Sequence, residues 1–393
     1  MSSRQRIAIC GGGNAAHVLA ALLSTRHQVG IYAPLADEAV RLQAGCAVGG
    51  GITAQSRTGS QLGQPWRISA DPAAVFPGAD LVLLALPASA HAVTLTALAP
   101  FVHDQMWIIA LPARGGFDWQ ARAILGEQAQ IAGLQTLPWA CRIPPGGYGE
   151  RVDILGVKES VDVAADPVHL APGLAAALSD LLQVQLAPAG TLLALTLANT
   201  GQIIHPGIMY GLFHDWDGRP FGEDEIPLFY GGVTPAIAAH LELMSAEVQA
   251  VAAALASHFP DQDWGGVLPL LAWCRRSYAH DIADPSDLHT CFTTNRAYAG
   301  LRAPMQLLEE NALVPWFESR YLTEDVPFGL LATRGIAEIL TVPTPAIDAV
   351  ILWAQEALGQ DWLVRGRLRG ADIPTSRAPQ RFGCDKPSQL LKS

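Results

Sequence analysis

The chain has 393 residues, 50% of them apolar and 16% charged, with a formal net charge of −11. That length exceeds one ordinary core and suits two domains, and so little charge excludes a disordered chain. The acidic balance excludes nucleic acid and anionic membrane surfaces as main partners, and no apolar run approaches the ~18 residues of a membrane span.

The first element is RIAIC (6–10), a short apolar run with a β-branched bias. The apolar run of MSSRQRIAICGGG is too short for a signal peptide and leads straight into this strand, so a cytoplasmic protein is expected. GGGNAAH follows, then the helical period of VLAALLSTRH and a second strand, QVGIY. Strand, glycine turn, helix and strand in that order fit G-x-G-x-x-A at Gly11, Gly13 and Ala16. Gly11 permits the tight turn, Gly13 lets backbone approach a pyrophosphate, and Ala16 lets the helix pack close to the sheet. Asn14 and Ala15 open the helix and join the expected cofactor set. The end of the second strand reads IYAPLADEA, where Tyr32 and Ala33 take the place of an acid for the adenosine ribose; Asp37 comes late. NADH is the expected cofactor, with NADPH left open.

Residues 45–69, rich in Gly, Thr and Ser, predict a hairpin or loop. Strands are predicted at LVLLALP (81–87), WIIALP (107–112), LQTLPWACRI (134–143), VDILGV (152–157) and VQLAP (184–188), with a helix at GLAAALSDLL. Ligands of an open parallel sheet lie beyond the carboxyl ends of strands. Pro87, His91, Pro112, Arg114 and Thr136 are therefore expected to line a cleft. From about residue 190 the pattern becomes helical, with Pro and Gly between the runs TLLALTLANTGQIIHPG, TPAIAAHLELMSAEVQAVAAALASHF and PAIDAVILWAQEAL. The expected organisation is an α/β Rossmann-type dinucleotide-binding domain over 1–190 and a mostly α-helical substrate and catalytic domain over 191–393. The basic tail RGRLRGADIPTSRAPQRFG is either a solvated end or a wrap over the domain.

Cys10, Cys46, Cys141, Cys274, Cys291 and Cys384 are scattered and form no CxxC pair, so neither a metal site nor a disulfide framework is expected. Among polar residues of the helical half, His205 lies in the apolar string NTGQIIHPGI, either as a satisfied core histidine or as a proton carrier. If Asp325 bonds one ring nitrogen, the other is free to serve as general acid and base. Arg320 could grip a substrate carboxylate with two parallel bonds.

Taken together, CGGGNAAH, LPWACRI, HPGI, ESRYLTEDVPFG, WAQEALGQDWLV and APQRFG resemble, in one order along nearly the whole chain, the octopine dehydrogenase family of opine dehydrogenases. The resemblance implies an NAD(P)H-dependent reductive condensation of an amino acid with an α-keto acid, typically pyruvate. It implies that His205 and Asp325 do the proton work and that Arg320 holds the keto-acid carboxylate. Trp273 matches a position near the amino substrate. Two residues depart from the octopine-forming pattern: Gln135 stands where an acid suited to a guanidinium is expected, and Arg114 where a neutral polar residue is. If both faced the substrate the pocket would be more positive, so arginine is not expected to be the favoured amino donor; alternatively Arg114 points to solvent or to the cofactor phosphates. Expected partners are these small substrates, with no nucleic acid or membrane, in a monomer or homodimer. A ketopantoate- or β-hydroxyacid-type reductase is the alternative within enzymes, but it needs a cleft lysine, and Lys158, Lys386 and Lys392 fall in no helical-domain motif. A non-catalytic dinucleotide sensor is the alternative outside them.

Overall fold

The computed structural model describes residues 4–309 and 312–391; Lys392 lies outside them. Two compact units emerge: one runs to Ala113 and resumes over Phe117–Leu195, and the other takes Arg114–Gly116 and the chain from Thr196 onward. The excursion at 114–116 is a difference from the contiguous division read in the sequence. It places Arg114 in the helical unit.

In the first unit the strands are β1 (Arg6–Cys10), β2 (Gln28–Tyr32), β3 (Ile52–Ser56), β4 (Gly59–Gly63), β5 (Arg67–Ser69), β6 (Leu81–Leu84), β7 (Trp107–Ala110), β8 (Gln130–Leu134), β9 (Trp139–Arg142), β10 (Arg151–Val157), β11 (Ser160–Asp166) and β12 (Gln185–Pro188). An eight-stranded sheet has the order β12-β11-β8-β7-β6-β1-β2-β5. Its strands pair in parallel except β8 with β11. Because strand side chains alternate between faces, Ile7, Ile9, Leu81 and Leu83 join one apolar cluster while Ala8, Cys10, Val82 and Leu84 join the other. Both faces are covered, which explains why these strands read as continuous apolar runs. Each fully buried Ile or Leu contributes about 1.5–3 kcal/mol.

Two sequence expectations change here. The run 134–143 is not one strand: β8 ends at Leu134, and β9 belongs to a separate sheet of order β4-β3-β10-β9. Pro138 lies between them, and a proline cannot supply the N–H that a continuous strand needs. The stretch 45–69 starts inside a helix, Glu38–Gly49, which a left-handed Gly50 closes, before the β3–β4 hairpin and β5.

The second unit is built on the 24-residue helix Pro235–His258, whose Thr234 side chain accepts from the Ile237 N–H. Helix Gly201–Phe213 packs against it through glycines. A Cβ at Gly207 would stand 2.5 Å from Leu241 Cδ2, and one at Gly211 2.5 Å from Ile237 Cγ1. Pro206 lies inside that helix, against the expectation that prolines fall only between helices. The tail wraps: Trp362, Ser376, Arg377, Cys384 and Leu390 are buried. No helix among the described residues is long and apolar enough to cross a membrane.

Candidate active site

Asp325 sits where helix Arg320–Thr323 gives way to a π-helical turn, Val326–Leu330, with the Leu330 N–H bonded to the Asp325 carbonyl at 3.0 Å. A π turn opens the regular ladder and re-aims nearby side chains, and such turns are frequent at functional sites. The carboxylate so placed is 1% exposed. From helix Gly201–Phe213, His205 Nδ1 lies 2.8 Å from Asp325 Oδ2. A carboxylate only accepts, so Nδ1 carries the proton in this bond, and in the neutral ring Nε2 is left as the basic nitrogen. The Tyr230 hydroxyl stands 3.3 Å from Nε2. The Tyr321 ring stacks on the imidazole at 4.3 Å and 14°. Burial first, then the neighbouring Tyr321, Tyr278 and Asp325, push the Tyr230 phenol well above its ordinary value, so it stays protonated and able to donate.

The other oxygen of Asp325 belongs to Arg114, whose Nη1 donates to Oδ1 at 2.6 Å. Arg114 Nε lies 3.4 Å from Glu324 Oε1. Burial alone would ease the proton off this guanidinium; Asp325 and then Glu324 outweigh it and raise its affinity above the ordinary value. On Glu324's second oxygen sits Arg320, through Nε at 2.7 Å and Nη2 at 2.5 Å. The polar residues therefore form one row in space: His205, Asp325, Arg114, Glu324, Arg320. Arg320 is 64% exposed on its side chain. Its Nε–Nη2 edge is taken by Glu324, so a bidentate grip on a substrate carboxylate has only the Nη1–Nη2 edge to use.

The structure thus brings His205, Asp325, Arg114 and Arg320 together. Trp273 has its ring 5.8 Å from Tyr278, which reaches Tyr298 and then Tyr230 by further ring contacts, so it adjoins His205 only through an aromatic train. In the first unit Thr136 accepts from Lys158 Nζ at 3.3 Å, and Gln135 is half-buried beside it.

The glycine turn opens helix Asn14–Leu23, whose first turn has neither a side-chain cap nor an acid. A Cβ at Gly13 would meet nothing within 4 Å, whereas Gly11 has φ +111° and a Cβ there would come 2.8 Å from the Ala85 carbonyl. His17, from the same motif, holds this turn: its ring bonds the Gly13 carbonyl at 3.0 Å and accepts from the Gly149 N–H at 2.8 Å. Burial lowers its pKa, partly opposed by the Gly13 bond, so it stays neutral. Ala15 and Ala16 are buried, Ala16 within one of the sheet's apolar clusters, and Pro87 is exposed just past β6.

Three expected cofactor contacts are corrected at the level of the side chain. The Tyr32 ring is buried 4.9 Å from Phe76, because alternation along β2 turns it into the core. His91 is fully buried with Nε2 on the Leu86 carbonyl at 3.2 Å. Asn14 Oδ1 accepts from the Ile143 N–H at 2.9 Å. The acid against the turn is instead Glu38, since a Cβ at Gly12 would stand 2.6 Å from its Oε1. Sequence reasoning also passed over Glu324, Tyr321 and Tyr230. The first two stood inside RYLTED; Tyr230, in the apolar string PLFYGG, carried no polar signal.

A dinucleotide-type unit followed by a helical unit that carries a half-buried histidine bonded to a buried aspartate fits a two-domain oxidoreductase. Comparison with known proteins narrows this. Residues 188–358 match the family described as NAD/NADP octopine/nopaline dehydrogenase, alpha-helical domain. The chain is 37% identical to the octopine dehydrogenase of Mizuhopecten yessoensis, over 98% of each chain. It is 36% identical to the tauropine dehydrogenase of Arabella iricolor, over 98% of this chain and 99% of that one. A solved octopine dehydrogenase with NADH and L-arginine superimposes with a TM-score of 0.89 at 34% identity, over 98% and 97% of the chains. The structure with NADH and pyruvate does so at 0.86 and 33%, over the same shares. The chain belongs to the octopine dehydrogenase family of opine dehydrogenases, which are NAD(P)-dependent oxidoreductases. That membership sets aside the ketopantoate-reductase and sensor alternatives.

Proposed function

We propose that the chain catalyses the NADH-dependent reductive condensation of an amino acid with pyruvate, giving an N-(carboxyalkyl) amino acid. The observation that carries this is the 2.8 Å contact of His205 with the buried Asp325 in a chain of this family. The amino substrate arrives as ammonium. His205 Nε2 takes its proton, and Asp325 stabilises the imidazolium that results. The free amine adds to the keto carbon; the oxygen takes the proton held by His205 and a second one lost by the added nitrogen and passed through the same imidazole, and leaves as water, giving a C=N bond. The nicotinamide dinucleotide, when bound, supplies the hydride that reduces the resulting C=N bond. Arg320 offers its remaining edge to the keto-acid carboxylate, and Tyr230 shields Nε2 from bulk water.

The open space over Gly13 at an uncapped helix N-terminus fits a pyrophosphate held by backbone N–H groups. Glu38, whose Oε1 accepts from Tyr148 at 3.1 Å, is suited to ribose hydroxyls and would repel a 2′-phosphate, which favours NADH over NADPH. Arginine is not the favoured amino donor: Gln135 offers no charge to a guanidinium. Arg114 no longer adds to this argument, because Asp325 and Glu324 match its charge.

The assay follows NADH absorbance with pyruvate alone, with pyruvate plus each of a panel of amino acids, and with NADPH in its place. Consumption that needs both amine and keto acid, with arginine behind small or acidic amino acids, is the expected result. His205→Ala should abolish turnover and leave NADH binding intact. Turnover retained in that variant would overturn the assignment, and arginine far ahead of the panel would overturn the donor preference.

A further inference from the structure

We infer that Arg114 is a positioning residue of the proton-handling pair, acting through Asp325 and not as a clamp on substrate. The inference rests on the reading of His205 as the proton carrier and goes beyond it. Asp325 has two oxygens and each has one strong partner, His205 Nδ1 at 2.8 Å and Arg114 Nη1 at 2.6 Å. A carboxylate held at both ends cannot rotate away from the imidazole.

Independent features hold Arg114 there. Its backbone has φ +59°, in the left-handed region that side chains other than glycine rarely adopt and that persists where the surroundings over-determine it. The next two residues are tied down: the Gly115 N–H donates to the Phe328 carbonyl at 2.7 Å, and the Gly116 N–H to Thr196 Oγ1 at 3.0 Å. The fully buried Arg377 reaches the Gly115 carbonyl with Nη1 at 3.4 Å. The helix that carries His205 also leaves room for the pair. A Cβ at Gly201 would come 3.0 Å from Arg114 Nη1 and 3.5 Å from Asp325 Oδ1.

The charges fix the direction of the effect. The groups facing His205 are Asp325, the Tyr230 hydroxyl and the Tyr321 ring, with Arg114, Glu324 and Arg320 behind Asp325. Arg114 and Arg320 balance Glu324 and Asp325. With the guanidinium present, the carboxylate shares its charge between Arg114 and the imidazole. Removing it leaves the carboxylate's charge to the imidazole alone. The ring then stays protonated to higher pH, and a step that needs it neutral loses rate at the acid end.

The test compares wild type, R114Q, R114K and H205A as full-length enzyme, in the condensation direction across pH. R114Q is expected to lower kcat about 10-fold, to keep both substrate KM values within about 3-fold, and to move the acid limb up by about one pH unit. R114K keeps the charge but not the fork, so its limb stays near that of wild type while kcat falls. A KM increase above about 10-fold with an unmoved limb would make Arg114 a substrate clamp and overturn the inference. An unchanged kcat and profile would overturn it equally. Should R114Q not fold, R114K decides: lowered kcat at constant KM supports the inference, and raised KM refutes it. Turnover retained in H205A removes the underlying reading instead, whatever Arg114 does.

Discussion

Asp325→Asn is the most informative single change, because it is nearly isosteric and removes one charge at a site 1% exposed. An amide cannot hold Nδ1–H and the Arg114 guanidinium at once with the strength of a carboxylate, so the 2.8 Å and 2.6 Å contacts both weaken. The imidazolium formed during proton transfer then loses its counter-charge. An opposite charge about 4 Å away at an effective dielectric of about 20 is worth about 4 kcal/mol. Positioned acid–base catalysis contributes about 10²–10⁴-fold, or about 3–5 kcal/mol. Both routes point to a kcat about 10³-fold below wild type. Arg114 keeps only Glu324 at 3.4 Å, so global stability should also fall by about 3 kcal/mol. Steady-state kinetics with NADH, pyruvate and the best amino acid measure the first effect, and urea unfolding the second. NADH affinity, measured by fluorescence titration, should stay within about 2-fold, since Asp325 belongs to the helical unit. A variant that turns over within about 5-fold of wild type would refute the proton-relay argument, even if it were destabilised.

Gly13→Ala should leave the melting temperature unchanged, because the added methyl meets no protein atom within 4 Å, while raising the KM for NADH about 10-fold by occupying the pyrophosphate space. Unaltered NADH affinity would move the phosphates elsewhere. Tyr230→Phe removes the hydroxyl 3.3 Å from His205 Nε2, and kcat should fall about 3- to 10-fold. Because the phenol is held protonated well above its ordinary value, that variant should show no shift of an alkaline limb below pH ~10. A shift there would mean that Tyr230 ionises during turnover.

What the sequence carried well was local. CGGGNAAH places turn, helix start and close packing within eight residues, and the physics by which such a turn can cradle phosphates acts over that same span. The strands carried their own apolar runs. Tyr32 went astray for an equally local reason: strand end and side-chain direction are separate questions, and period-2 alternation turned the ring toward Phe76. Pro206 shows tertiary packing overruling propensity, since a helix otherwise broken there is held by its glycine face against Ile237 and Leu241. The candidate site was legible in some of its members, not in Glu324, Tyr321 or Tyr230, and not in its wiring. Arg320, Asp325, His205 and Arg114 could all be named, yet the Arg114–Asp325 bond joins residues 211 apart in the chain and no spacing encodes it.

That wiring changes the electrostatic argument for specificity. Counted along the sequence, Arg114 and Arg320 look like two cations available to anionic substrates. In the fold, Arg114 is matched by Asp325 and Glu324, and one edge of Arg320 is matched by Glu324. A balanced cluster attracts no anion at long range, so under the proposed function discrimination among substrates rests on geometry at short range: the one edge Arg320 has left, and the absence of an acid at Gln135. A charge-based preference among amino donors should therefore be weakly dependent on ionic strength. Rates for acidic and neutral amino acids should keep their ratio within about 2-fold between 0.05 and ~0.5 M salt, where a site steering by net charge would lose most of its preference.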